Sequence, residues 1–204
     1  MVRKAEAADL SEIAEIITVS FLDDFKPISR NKNKVKRFFE SCLSPAVFYV
    51  YEEDGVLLGV TALSDYSSGR AIKPDKKQPK EAFGFFRGTL FNLFVRKHFE
   101  EIFCHDYFTA LVEFVAVRPE ARGRGLSGKM LERILADTEY RRYLLDVKDN
   151  NLPAVKTYQR LGFSETRREK APKKASFSYV VFMRYDKAAN NEAVGKKAYM
   201  YRPE

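Results

Sequence analysis

Residues 108–128 read FTALVEFVAVRPEARGRGLSG, an apolar stretch that runs into a glycine-rich basic turn and then into a helix. The β-branched and aromatic content of the first half predicts a strand. After the turn Leu126, Met130 and Ile134, with Leu131 and Leu135, form the stripe of an amphipathic helix. Between the two, Gly123 and Gly125 let backbone approach a ligand with no Cβ in the way. A helix opening at this turn points unpaired N–H groups and the positive end of its dipole at an anion. Arg122 and Arg124 add charge suited to phosphate. The whole unit predicts a site for a phosphate-bearing cofactor. An RGRG turn also occurs in solvated linkers and nucleic-acid-binding arms, so its surroundings must decide. Neither the dinucleotide fingerprint nor the phosphate loop ending in Gly-Lys-Ser/Thr is present.

Downstream, residues 143–147 predict a short strand, so strand, turn, helix and strand form a crossover with two neighbouring parallel strands. Ligands favour the carboxyl ends of such strands. Asn150 and Asn151 open another helix, with Pro153 in its first turn, Ala154, Val155, Tyr158 and Leu161 facing inward, and Gly162 as the stop. Phe163 begins a strand, 167–174 reads as a basic turn, 177–185 as the last strand, and 187–204 as a polar tail.

Upstream, Val2 to Lys4 suits a first strand. Asp9 and Glu12 form a cap-like pair ahead of Leu10, Ile13, Ile17 and Phe21 at helical spacing, predicting a helix to about Phe21. Val35, Phe38, Phe39, Cys42 and Leu43 repeat that spacing until Pro45 stops it. Residues 47–51 and 56–63 flank Glu52-Glu53-Asp54-Gly55 and predict an antiparallel hairpin. The stretch 67–80 carries Gly69, Pro74, Pro79 and several lysines and reads as a mobile loop without chemistry. Residues 81–103 predict a helical insertion with a broad apolar surface. A helix packed on the sheet is the plain reading, with a membrane-surface helix or a homodimer contact as the alternatives.

At 204 residues, 45% hydrophobic and 14% aromatic, the chain suits one domain with a sizeable core, expected over 1–186 with an insertion at about 67–105. No apolar run is long enough for a membrane span and the first residues lack the core of a signal peptide, so a cytoplasmic location is expected. Cys42 and Cys104, with only His98 and His105, give no metal-ligand spacing and no disulfide framework. A net charge of +8 suits an anionic cofactor, acidic partners or nucleic acid, but the cations are scattered rather than striped, which reads as solvated surface.

The strand with Arg122-Gly123-Arg124-Gly125-Leu126-Ser127, followed by helix, strand and Asn151-x-x-Ala154-x-x-x-Tyr158-x-x-x-Gly162-Phe163, resembles the GNAT superfamily of acyl-CoA-dependent N-acyltransferases. The first motif matches the family's Q/R-x-x-G-x-G/A pyrophosphate signature, with Ser127 at its last small position. The resemblance implies an α/β fold, of α+β type: a mixed, mostly antiparallel central sheet with a splayed parallel strand pair and helices on both faces. It implies acetyl-CoA as cosubstrate, no metal, and transfer of an acetyl group to a primary amine by direct attack. The pantetheine arm would lie along Val115, Ala116 and Val117, with Arg122, Gly123, Arg124, Gly125, Leu126, Ser127 and Asn151 around the rest of the donor.

Amide formation needs a neutral amine, a donor for the oxyanion and a proton for the leaving thiolate. By the resemblance, Tyr158 protonates the thiolate and a backbone N–H near Val115 faces the oxyanion; the plain alternative for Tyr158 is a core tyrosine. Two carboxylates compete as base. Glu113 is preferred, on the face that strand alternation would share with Val115 and Val117; Asp146, in Leu145-Asp146-Val147, is the second. Pairing of either to a nearby Lys or Arg is the structural alternative. The competing functions are a non-catalytic acyl-CoA sensor and, behind it, a basic nucleic-acid binder. The acceptor amine, small molecule or protein, matches no motif, and the aromatic insertion is expected to cover its side of the cleft.

Overall fold

The computed structural model describes residues 1–73, 78–84, 88, 106–173 and 175–187. Seven strands form one sheet in the order β1-β2-β3-β4-β5-β7-β6. They are β1 (Val2–Lys4), β2 (Phe48–Glu53), β3 (Val56–Ser64), β4 (Thr109–Val117), β5 (Arg142–Lys148), β6 (Ser164–Lys170) and β7 (Tyr179–Asp186). Every neighbouring pair is antiparallel except β4 and β5. Five helices accompany them among the described residues: α1 (Leu10–Phe25), α2 (Lys32–Cys42), α3 (Gln78–Phe83), α4 (Leu126–Asp137) and α5 (Leu152–Arg160). None is long and apolar enough to cross a membrane.

The sheet has a core on each face. On one, Ile13, Ile16 and Ile17 of α1 and Val35, Phe38 and Phe39 of α2 pack with Val60, Ala62 and Ala116 of the sheet. On the other, Leu131 and Ile134 of α4 and Tyr158 of α5 pack with Ala110, Val112, Tyr143, Leu145 and Val147. Alternation along β5 makes this division: Tyr143, Leu145 and Val147 belong to the α4 face, so Leu144, Asp146 and Lys148 point to the α1 face.

Local sequence explains most boundaries. Asp54 and Gly55 both take left-handed φ, 52° and 76°, which gives the two-residue turn that a right-twisted hairpin needs. The Asn31 side chain caps α2 by accepting from the Lys34 N–H at 3.1 Å. Gly162, at φ 95°, ends the α5 turn as expected.

Three expectations need correction. The first helix runs one turn past Phe21, because Leu22 and Phe25 continue its apolar stripe against the α1 face core. Its expected cap pair, Asp9 with Glu12, is displaced: Asp9 accepts from the Glu6 N–H at 2.8 Å and is held by Arg3 at 2.7 Å. Residues 167–170, expected in a basic turn, belong to β6. That strand is a solvated sheet edge, so charges replace the apolar alternation by which an inner strand is read. The aromatic insertion, Cys104, both histidines and the tail lie largely or wholly outside the described residues.

Candidate active site

Where β4 and β5 run side by side, they are paired only at Thr109–Arg142, Ala110–Tyr143 and Leu111–Leu144. Both strands continue, β4 to Val117 and β5 to Lys148, but without further bonds to each other. They part into two lips. Glu113 and Asp146 each stand two residues beyond the last pair, one on each lip, and Val115 and Lys148 each stand four beyond it.

The cause of the parting lies partly in β4 itself. Its register on β3 shifts between Val60 and Ala62, and Phe114 takes a left-handed φ of 53°, costly for a residue with a Cβ. The Phe114 ring is packed among Phe21, Phe39 and Phe48 at centroid distances of 5.8, 6.2 and 6.2 Å. The bulge also breaks alternation. Ala62, the partner of Glu113, lies in the α1 face core, as do Ala116 and the packing surface of Phe114, whereas Val112 and Val115 pack on the α4 face. Glu113 therefore does not share a face with Val115 and Val117, as unbroken alternation would require. It shares one with Asp146, across the opening.

Beyond β4 the chain makes a short 3-10 turn, Pro119–Ala121, and reaches the glycines. Gly123 and Gly125 take φ of 78° and 72°, and a Cβ on either would find nothing within 4 Å. That open, left-handed turn leads into α4, whose N-cap is Gly125 and whose first turn has no side-chain cap. The N–H groups of Leu126 and Ser127 thus start a 12-residue helix at the end of the opening. Arg122 and Arg124 are exposed beside it; Arg122 Nε donates to the Val117 carbonyl at 3.2 Å, and Arg124 donates to Glu53 at 2.6 Å. The turn meets what an anionic, phosphate-bearing ligand requires: room, donors and positive charge.

On the other lip α5 starts at Asn151, whose side chain accepts from the Ala154 N–H at 3.4 Å. Tyr158, two residues before Arg160 at the end of α5, is buried against Phe163. Burial first, and the Asp146 carboxylate second, push its phenol well above its ordinary value, so the proton stays on at neutral pH. Among the described residues no hydrogen bond holds that hydroxyl, although Tyr158 is only 6% exposed. It is a core tyrosine in its packing, with a hydroxyl free to donate.

Glu113 is engaged. Its carboxylate accepts from the Arg70 guanidinium at 2.8 Å and from the Ser64 hydroxyl, and its side chain is 9% exposed. Ser64 accepts in turn from the Ala71 N–H at 3.0 Å. The ion pair weighed as the structural alternative for Glu113 is present, and its partner comes from the stretch read as a loop without chemistry. The signal that could have found Arg70 was one arginine among lysines. Asp146 is exposed on the facing lip. Cys42 is buried, its thiol pushed up to about 12 by burial, and it is remote in character from a nucleophile. An open cleft of about 320 Å³ between α2 and α3, lined by Lys34, Arg37, Phe38, Ser41, Glu81 and Ala82, lies away from the lips.

Comparison with known proteins accords with this geometry. The sequence profile of the acetyltransferase (GNAT) family matches residues 12–163. A 5-NmdU N-acetyltransferase of Pseudomonas phage PaMx11 is 45% identical over 51 residues, which is 25% of this chain and 36% of that protein. In fold, an N-acetyltransferase from Staphylococcus aureus Mu50 superposes with a TM-score of 0.64 at 16% identity, over 91% of this chain and all of the other. The yncA protein of Salmonella typhimurium, solved with its cofactor acetyl-CoA, superposes with a TM-score of 0.57 at 19% identity, over 95% of this chain and 98% of that one.

Proposed function

The chain belongs to the GNAT family of acetyltransferases, and on that premise we propose that it transfers an acetyl group from acetyl-CoA to a primary amine by direct attack. The observation that carries this reading is the parting of β4 from β5 with an uncapped helix N-terminus at its end. Val115, Ala116 and Val117 would bond the donor's pantetheine arm as an added strand would. Gly123, Gly125, Leu126 and Ser127 would offer N–H groups to the pyrophosphate, with Arg122 and Arg124 as counter-charge and Asn151 alongside. The bulge at Phe114 supports an oxyanion contact, since it turns backbone out of the ladder beside Val115.

The chemistry then needs two proton movements. Tyr158 donates its phenolic proton to the departing thiolate; its hydroxyl, which has no hydrogen bond among the described residues, suits the role, and burial keeps the phenol protonated until a stronger base, the thiolate, forms beside it. Glu113, on the α1 face of the lip, takes the proton of the attacking amine through water, and Asp146 on the other lip is the second candidate. Glu113→Gln should depress the rate most at low pH, where the amine carries a proton that must be removed. Full activity of that variant across pH, with loss in Asp146→Asn, would exchange the two roles.

The test is release of free CoA thiol from acetyl-CoA across a panel of alkylamines, aminoglycosides, peptide amines and 5-NmdU, the acceptor in the phage relative's name. Amine-dependent release supports the transferase. Tight acetyl-CoA binding without release for any amine would instead favour a sensor.

A further inference from the structure

One ion pair joins the end of β5 to the end of α1. Lys148, the last residue of β5, points to the α1 face, and its ammonium donates to Asp24 in the final turn of α1, 124 residues away in sequence. The same ammonium lies 5.3 Å from the centre of the Phe177 ring, on the connection between β6 and β7. Lys148 stands four residues beyond the last β4–β5 pair, level with Val115 on the opposite lip. On the transferase reading, the pair lies on the α1 face of the lips, opposite the α4 face that carries Tyr158, where an amine would approach. Both side chains are more than a third exposed, 36% for Lys148 and 39% for Asp24, so water screens the pair and little opposes parting it.

A carboxylate at one end and an aromatic face at the other make a receptor for an alkylammonium, and the chain's own alkylammonium already sits there. Exchange of one primary ammonium for another leaves every hydrogen-bonding group satisfied. We infer that Asp24, with the Phe177 ring, is the determinant that selects a cationic alkylamine as acceptor, and that Lys148 holds its place until the acceptor arrives. This rests on the transferase reading for its meaning, but not for its test. Asp24 is a specificity residue: it docks the acceptor as its ammonium, before that nitrogen loses its proton to the base and reaches the thioester, and takes no proton itself.

The probe is n-butylammonium, titrated calorimetrically into protein saturated with CoA, with KM for n-butylamine measured in parallel by thiol release. Asp24→Asn should weaken the probe about fivefold, the upper weight of an exposed ion pair. Asp24→Glu should recover most of that. Lys148→Met should do the opposite and tighten the probe about threefold, because it removes an internal competitor. CoA affinity should stay the same in all three, a pattern no merely structural role produces. Failure of the wild type to bind the probe, or weakening by Lys148→Met as well as Asp24→Asn, overturns the inference. Amine turnover with KM unmoved by Asp24→Asn overturns it and leaves the transferase standing. Probe binding that depends on Asp24, without thiol release from any amine, sinks the transferase reading and leaves the site.

Discussion

On the proposed reading, the donor side of the parted strands comes from one run of chain, residues 108–163, whereas the acceptor side is assembled from the end of α1, the loop after β3, both lips and the β6–β7 connection. The first is held by backbone: a bulge, two left-handed glycines and a helix N-terminus. The second is held by side-chain pairs that meet only in three dimensions, Arg70 with Glu113 and Asp24 with Lys148. A donor common to a family can be bound by backbone in a fixed local geometry, which tolerates sequence change everywhere except at the glycines. An acceptor that differs between relatives is met by exchangeable side chains on elements far apart in sequence.

This contrast is sharpest at Gly125. A Gly125→Val substitution meets no protein atom in the empty turn, so its direct cost to the fold is the left-handed backbone alone, roughly 1–2 kcal/mol. It should nevertheless weaken acetyl-CoA on the order of 100-fold, the weight of two charge-assisted hydrogen bonds of ~1.5 kcal/mol each. Calorimetry alongside thermal melting separates the two effects. An unchanged acetyl-CoA affinity would erase the distinction between the halves.

Tyr158→Phe comes next. Loss of the thiolate's proton donor should lower kcat about 100-fold with little change in acetyl-CoA KM. Stability should hardly move, since the hydroxyl has no hydrogen bond to lose among the described residues. A large drop in melting temperature with kcat intact would return Tyr158 to a plain core role.

Arg70→Met strands Glu113 in a site where its side chain is 9% exposed, and should destabilise the protein by about 2 kcal/mol, less than for a fully buried pair. In the Glu113→Gln background the same change should cost clearly less, and a double-mutant cycle by denaturant melting reads the difference. Additivity would mean that the two side chains do not act as a pair.

The smallest effect concerns acid. Burial works against the charge on Asp65, yet hydrogen bonds from the Tyr140 hydroxyl, the Ser68 N–H and the Ser67 and Ser68 hydroxyls outweigh it and hold the carboxyl at about 2. A carboxyl held below its unfolded value stabilises the fold above about pH 4, and that contribution is lost as pH falls toward about 2. Asp65→Asn should therefore flatten the stability profile between pH 4 and 2, by denaturant midpoints, and leave acetyl-CoA binding alone. A profile of unchanged slope would place the acid response elsewhere.

The same division explains what the amino-acid order made legible. Gly123, Gly125, Pro153 and Gly162 announce backbone geometry within a few residues of themselves, so the turn, α4 and α5 could be read directly, and the family resemblance rested in part on the three glycines. Phe114 could not be read as a bulge, because its left-handed φ is imposed by rings from α1, α2 and β2. That single residue reversed the face assigned to Glu113. Asp24 and Phe177 carry no local signal and Arg70 only that of one arginine among lysines; each acquires meaning from a partner at least 29 residues away, as the Lys148–Phe177 contact is the nearest of the three. The strand expected from Phe163 is β6, but its residues 167–170 read as a turn because a solvated edge strand has no apolar rhythm to detect.

Amide hydrogen exchange with and without saturating acetyl-CoA tests the central claim most directly, that the opening between β4 and β5 receives the donor. Residues 113–117 and 122–127 should exchange more slowly in the complex, while β6 and the Lys34, Arg37 and Ser41 side of the α2–α3 cleft stay unchanged. Protection confined to that cleft, or none along residues 113–117, would contradict it.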